Sequence, residues 1–148
     1  MRLEVTRKAD LATRVLLELS ERGTRAKSAE LAEAVGTTPG YLTQVVAPLA
    51  GRGWVDSEPG PTGGYRSTVA LTDVTVLDVI EAVEGPSESG RCVLADRPCA
   101  GAGQCALHVP WSRARSQLVA ELGRTPLSSL APPSSSSLLS PLAPEPTP

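Results

Sequence analysis

Apolar residues recur every three or four positions at the start of the chain. Between residues 6 and 22 this stripe consists of Ala12, Val15, Leu16 and Leu19. The spacing is that of one face of an amphipathic helix. Ser28 is expected to cap a second, short helix that ends at Gly36, because a serine side chain accepts from free helix amides and glycine adopts the left-handed conformation at a helix end.

A third helix is expected to start at Thr38 and Pro39, which suit the N-cap and first helical positions. It should run towards Arg52, with a kink or an early end near residues 45–47, because Pro48 removes a backbone hydrogen bond. The connection between the second and third helices, EAVGTTPGYL, matches the helix-turn-helix pattern.

Two short extended runs follow, at residues 54–57 and 67–71. They flank EPGPTGGYR, a segment dense in Pro and Gly, which predicts a β-hairpin with a wide loop. A hairpin placed directly after a helix-turn-helix is a wing.

Two more helices are predicted beyond the wing. Thr75 and Asp78 form a capping box, and the apolar stripe behind them is closed by Gly85 and Pro86. The stripe consists of Val76, Val79, Ile80 and Val83. A last helix has an apolar seam of Trp111, Ala114, Leu118 and Leu122.

These elements predict a mainly α fold with a small β-hairpin, divided into four parts. We expect a winged helix-turn-helix at residues 1–85, a cysteine-rich loop at 86–108, a last helix at 109–124 and a Pro/Ser-rich tail at 125–148. The tail is predicted to be disordered, because it cannot bury enough apolar surface to offset its ordering entropy.

Composition narrows the function classes only slightly. The formal net charge of -2 gives no global basic signature, so nucleic-acid binding would need a local patch. The charged start of the chain and the absence of a run of ~20 apolar residues predict a cytoplasmic protein without a membrane segment. No phosphate loop, catalytic triad or paired acid/base carboxylates are found, so neither an enzyme nor a small-molecule substrate is expected.

A winged helix would place the start of the third helix in a DNA major groove. The residues expected at this interface are Thr37, Thr38, Gly40, Tyr41, Thr43, Gln44, Arg52, Tyr65 and Arg66. Gln44 is the expected base reader, since its amide can pair with adenine, while Thr38, Tyr41, Arg52, Tyr65 and Arg66 suit phosphates. The alternative is a winged-helix module that packs only against protein.

All three cysteines and the only histidine fall within residues 92–108, in the pattern C-x6-C-x5-C-x2-H formed by Cys92, Cys99, Cys105 and His108. Three thiolates and an imidazole suit zinc or an iron-sulfur cluster. Neither cysteine gap is as short as that of a zinc knuckle. Longer gaps with glycines, such as AGAG at 100–103, suit a bulkier group, which favours iron and sulfide over zinc. Inert cysteines, or a Cys/His catalytic pair, are the other interpretations.

The chain from Met1 to about Leu130 resembles the winged-helix iron-sulfur transcription regulators of the IscR and NsrR kind. The resemblance rests on the opening MRL, on GPTGGY at 60–65, on DVIEAVEG at 78–85 and on the cysteine loop that leads into CALHVPW. It implies a homodimer that is paired through its last long helix and binds double-stranded promoter DNA at a pseudo-palindromic site.

The same resemblance implies a ligand set. Cys92, Cys99 and Cys105 match the three cysteine ligands, and His108 matches the histidine of the IscR type, which holds a 2Fe-2S cluster. Asp10 resembles instead the aspartate that ligates a 4Fe-4S cluster across the dimer in the NsrR type. The first cysteine gap is six residues here and five in the IscR pattern. His108 and a 2Fe-2S cluster are favoured, with Asp10 and a 4Fe-4S cluster as the alternative.

The resulting hypothesis is a DNA-binding transcription regulator, a repressor, whose promoter binding is controlled by an iron-sulfur cluster that senses redox state, nitric oxide or cluster status. Two alternatives stay open. One is a winged-helix regulator with a structural zinc or thiol-switch site, and the other is a protein-interaction module that does not bind DNA.

Overall fold

The computed structural model describes residues 4–95, 97–99 and 103–131. Over these ranges the predicted class is confirmed: five α-helices and one antiparallel β-hairpin. In chain order the elements are α1 Arg7–Arg22, α2 Ser28–Val35, α3 Pro39–Gly51, β1 Val55–Glu58, β2 Gly64–Ser67, α4 Val76–Glu84 and α5 His108–Arg124.

The core lies around α1, which packs against α2, α3, α4 and β2. The predicted apolar stripe of α1 is buried, as are leucine and valine side chains from α2, α3 and α4. Branched aliphatic side chains fill this core because the chain has no phenylalanine. Since α4 contacts both α3 and α5, it connects the helix-turn-helix to the C-terminal helix.

Three of the helices begin at a threonine that caps the free backbone amides of the first turn. Thr6, Thr38 and Thr75 cap α1, α3 and α4, each accepting from a backbone amide three residues ahead. The prediction for α2 was wrong by one residue, because Ser28 is its first helical residue and Lys27 is the N-cap. The Glu30 carboxylate accepts from the Lys27 amide at 3.4 Å, so one amide at this helix end has a partner other than the Ser28 hydroxyl.

Helix α3 does not end near residues 45–47 but continues through Pro48 to Gly51. Val45, Val46 and Leu49 are buried on both sides of the proline. Their burial offsets the one backbone hydrogen bond that Pro48 removes.

The second strand begins three residues earlier than predicted, at Gly64 rather than at residue 67. Val55 pairs with Ser67 and Glu58 with Gly64, so residues 59–63 form the loop of the wing. Tyr65 also pairs with Ala26 through two backbone hydrogen bonds of 2.8 Å. This second pairing fixes the strand at a place that no local pattern indicates.

The segment after α5 corrects the prediction of disorder from residue 125 onward. Leu127 is fully buried in a short 3-10 helix, and its amide donates to the Val74 carbonyl at 2.9 Å. The amide of Ser128 donates to the Leu71 carbonyl at 3.1 Å. Residues 125–131 are therefore part of the packed fold, and the rest of the predicted tail, 132–148, lies outside the described residues.

Helix α5 has no buried residue. On its predicted apolar seam Leu118 is 47% exposed, Ala114 is exposed, and Trp111 and Leu122 are half-buried. The seam is thus largely uncovered in a single chain. None of the helices within the described ranges has the length and apolar character needed to cross a membrane.

Candidate functional site

The loop after α4 folds back on itself and brings the cysteines together. Arg91 and Pro98 form an antiparallel bridge, the Cys92 amide donates to the Arg97 carbonyl at 2.9 Å, and the Cys99 amide donates to Gly90 at 3.3 Å. As a result the three Sγ atoms lie within 4.8 Å of one another. The chain can therefore present three sulfurs to one bound group without a large rearrangement.

His108 joins this group from the first turn of α5. Its Nδ1 atom lies 3.2 Å from the Cys99 Sγ atom, and its amide donates to the Cys105 carbonyl at 3.0 Å. The side chain thus lies at the edge of the sulfur group, in contact with one of its members. The helix start determines this position because His108 is the first residue of α5.

Backbone amides point at two of the sulfurs. The Leu94 amide donates to Cys92 Sγ at 3.5 Å and the Cys105 amide donates to Cys99 Sγ at 3.4 Å. The Leu94 amide is the main cause that lowers the pKa of Cys92 to about 7, since a hydrogen bond to sulfur favours the thiolate. Burial raises the pKa of Cys105. Cys92 therefore ionises more readily than Cys105.

A cavity of about 120 Å³ opens between this loop and α5. Its lining includes all three cysteines, His108 and Trp111, with Glu88, Arg91 and Arg115 as the charged members. Soft thiolates and an imidazole around a small cavity are suited to a metal ion or an iron-sulfur cluster. The residues present fit such a group.

Asp10, the alternative ligand, lies apart from this group within the chain. It occupies the first turn of α1, and its carboxylate accepts from the Arg14 side chain at 3.1 Å. Both side chains are about half exposed. A role for Asp10 would require the site of a second chain, and it stays a prediction.

The other candidate surface is the start of α3, which is followed by the wing. Gly40, Thr43 and Gln44 are exposed there, and no atom lies within 4 Å of the position that a Cβ would take at Gly40. Helix α3 contains no charged residue, so this tip offers small and polar groups rather than a point charge. Such a surface allows close approach to base edges.

Comparison with known proteins gives the family. The family model Rrf2, described as an iron-dependent transcriptional regulator, matches residues 5–133. The chain belongs to the Rrf2 family. The family and the named relatives are transcriptional regulators, which confirms the expectation that the protein is not an enzyme.

Relatives of this Rrf2 protein are named as transcriptional regulators of the helix-turn-helix type. A Mycobacterium tuberculosis H37Rv protein named as an HTH-type transcriptional regulator is 30% identical over 132 residues, which is 87% of this chain and 81% of the relative. IscR of Vibrio atlanticus is 28% identical over 118 residues, 78% of this chain and 68% of the relative.

Solved structures agree on the fold. CymR of Bacillus subtilis, described as the global cysteine regulator, has a TM-score of 0.70 and 26% identity, covering 88% of this chain and 97% of that one. T. potens IscR has a TM-score of 0.68 at 22% identity, covering 86% and 85%, and supports the fold alone. Both structures confirm the Rrf2 winged-helix architecture.

The remaining predicted DNA contacts of the Rrf2 chain divide into two groups. Thr38 is engaged as the cap of α3, where its Oγ1 accepts from the Tyr41 amide at 3.3 Å, and Thr37 is half-buried. Tyr41 and Tyr65 are half-buried and pack against the core. Their rings thus have a structural role whether or not they also contact phosphates.

The second group lies on or beside the wing. The Arg52 guanidinium lies 5.8 Å from the centre of the Trp54 ring, a cation-π distance that orients an exposed arginine. Arg66 is exposed on β2, directly across from Asp56. Trp54 was not among the predicted site residues, although its position two residues after Arg52 was the available signal.

Two arginines with contacts to the helix-turn-helix turn and to the wing were not predicted from the sequence. Arg7, at the start of α1, donates to the Gly36 carbonyl in the helix-turn-helix turn at 3.3 Å. Arg25, between α1 and α2, contacts the wing. Neither belongs to a periodic pattern or a motif, because each contact is made with a segment about thirty or more residues away along the chain.

Proposed function

We propose that this Rrf2 protein is a DNA-binding repressor whose affinity for its promoter depends on an iron-sulfur cluster held by Cys92, Cys99 and Cys105. The observation that carries the proposal is the mutual distance of the three Sγ atoms, at most 4.8 Å, in a loop directly joined to the two C-terminal helices. When bound, the cluster would supply one-electron redox chemistry and reactivity towards oxidants or nitric oxide.

His108 is proposed as the fourth ligand, in support of a 2Fe-2S cluster. It already lies beside Cys99 in the same chain, whereas Asp10 would have to come from a partner. Homologues named IscR support an iron-sulfur site in general. The geometry of a single chain supports His108 over Asp10 in particular.

The loop can influence DNA binding through α4. The loop begins where α4 ends, and the Ser87 amide donates to the Glu81 carboxylate at 2.9 Å. Helix α4 packs against α3, which carries the proposed base reader Gln44, and against α5. A bound group that orders the cysteine loop would therefore favour one position of α4, and with it one position of α3 and α5 relative to each other. A coupling free energy of ~1 to 3 kcal/mol would change DNA affinity about 5- to 150-fold.

The proposed DNA-bound form is a homodimer in which α5 pairs with its counterpart. The uncovered seam of α5 supports this arrangement, since Leu118 is about half exposed and Ala114 is exposed in the single chain. Two winged helices related by a two-fold axis would then read a pseudo-palindromic promoter site.

Metal analysis with cysteine variants tests the ligand set. Protein isolated anaerobically is expected to contain iron and sulfide, and Cys92→Ser, Cys99→Ser or Cys105→Ser is expected to lose both. Leu94→Ala is the matched control, because Leu94 lies in the same loop with an exposed side chain. Iron and sulfide contents that do not differ between the serine variants and this control would contradict the proposal.

A zinc or thiol-switch site is a second candidate for the same residues. The lowered pKa of Cys92 favours it, because a thiolate at neutral pH both binds zinc and reacts with oxidants. One zinc per chain without sulfide would establish the zinc site, and a metal-free protein that forms a disulfide among the three cysteines would establish the thiol switch.

A further inference from the structure

The wing carries two carboxylates that a single arginine from outside the wing contacts. Nη2 of Arg25 lies 2.6 Å from the Asp56 carboxylate and 3.2 Å from that of Glu58. Nη1 of Arg25 donates to the Gly64 carbonyl at 3.0 Å. The Arg25 side chain is only 19% exposed. Its guanidinium is therefore largely buried, and it makes these ion pairs and this hydrogen bond with residues of the wing.

The backbone holds the wing in place independently of this guanidinium. Ala26 is fully buried and pairs with Tyr65 through two hydrogen bonds of 2.8 Å. At Gly64, where φ is +132°, a Cβ would lie 2.2 Å from the Ala26 carbonyl oxygen. This close packing ties β2 to the segment before α2. Loss of the Arg25 charge should therefore leave the wing in position.

The charges of the wing matter because the wing is the element proposed to lie against DNA phosphates. Asp56 and Glu58 are two residues apart on one strand and therefore share a face. Arg25, which contacts both carboxylates, and Arg66, which lies opposite Asp56, together balance their two negative charges. The hydrogen bond from Arg25 also lowers the pKa of Asp56, so this carboxylate stays charged. Without Arg25 the wing would present a net negative charge to a polyanion.

We propose that Arg25 is a positioning residue for DNA binding: it does not contact DNA but, together with Arg66, neutralises Asp56 and Glu58 so that the wing can approach the phosphate backbone. This inference rests on the proposed function, since it assumes that the wing lies against DNA. It assigns a role to an ion pair that lies outside both the cysteine loop and α3.

The test measures DNA affinity by fluorescence anisotropy, with a duplex selected from a random pool by the wild-type protein. Arg25→Gln is expected to weaken binding about five- to tenfold at low salt, and less at higher salt, because screening shortens the reach of the exposed carboxylates. The triple variant that adds Asp56→Asn and Glu58→Gln is expected to regain at least the wild-type affinity, because it leaves the positive charge of Arg66 on β2 without these two carboxylates. Arg22→Gln is the matched control, since Arg22 also contacts two carboxylates, Glu18 and Glu30, but not the wing.

The outcomes distinguish the possible causes of a change in DNA affinity. Wild-type affinity in Arg25→Gln would overturn the inference, and so would a loss that the triple variant does not restore, because direct phosphate contact by Arg25 or displacement of the wing would then be the cause. Circular dichroism and thermal melting of each variant establish that the measured chains are folded. Wild-type protein that selects no duplex at all would contradict the proposed function itself, and the inference would fail with it.

Discussion

The Nδ1 atom of His108 lies 3.2 Å from the Sγ atom of Cys99. This contact joins the first turn of α5 to the loop that holds the three sulfurs. It also brings the only histidine of the chain to the one place where three soft ligands meet in the described ranges. The proposed ligand set follows from this arrangement, and so does a first prediction.

Replacing His108 should change the cluster, whereas replacing Asp10 should not. His108→Ala is expected to lower iron affinity at least about tenfold and to shift the electron paramagnetic resonance spectrum, because it removes an imidazole that contacts the sulfur group. Asp10→Ala is the comparison, since Asp10 pairs with Arg14 on an exposed part of α1. A cluster that survives His108→Ala but is lost in Asp10→Ala would assign the fourth ligand to the partner chain.

Gln44 should control sequence preference more than overall affinity. Gln44→Ala is expected to reduce discrimination at one A·T base pair by about 1–3 kcal/mol, since a bidentate amide-adenine pair is lost. The measurement is selection of duplexes from a random pool with each variant. Gln117→Ala is the control. Gln117 is an exposed residue of α5, away from α3 in the chain, and this variant should select the same sequences as the wild type. An unchanged preference in Gln44→Ala would remove Gln44 from the interface.

Leu127 should stabilise the domain even though it follows the last long helix. Leu127→Ala is expected to lower the free energy of unfolding by roughly 2–5 kcal/mol, because the side chain is fully buried. Leu130→Ala, at a position 38% exposed, should cost roughly 1 kcal/mol or less. Urea denaturation measures both values. Equal losses in the two variants would contradict the packing of residues 125–131 into the fold.

The pair of Arg25 and Asp56 should make stability depend on acid pH. The hydrogen bond from Arg25 lowers the folded-state pKa of Asp56, so its contribution is present above the unfolded value of about 3.9 and is lost as the pH falls through the folded value. Carbon-13 titration of the Asp56 carboxyl should show a lowered pKa that rises in Arg25→Gln. The same pKa in both proteins would mean that the pair does not persist in solution.

The elements that were predicted well from the sequence are those determined by interactions between residues that are close together in the chain. The stripe of α1 is buried, Thr38 and Pro39 begin α3, and Thr75 with Asp78 caps α4. Each of these signals lies within one or two helical turns. The meeting of the three cysteines was also predictable, because the loop that carries them is short.

The features that sequence did not predict depend on contacts between distant segments. The start of β2 is fixed by the pairing of Tyr65 with Ala26, and the order of residues 125–131 is fixed by the contact of Leu127 with Val74. Arg25 reaches Asp56, 31 positions further along the chain. Helix α3 continues through Pro48 because the apolar side chains on both sides of this proline are buried. In all four cases tertiary packing outweighs the local pattern.

The central claim is that the state of the cysteine site controls DNA binding. The most direct measurement is a titration of one selected duplex with anaerobically isolated protein before and after iron is removed by a chelator. The account predicts a coloured protein with iron and sulfide, and an affinity that changes at least about fivefold when iron is removed. A colourless, iron-free protein whose DNA affinity is the same before and after the chelator would contradict it.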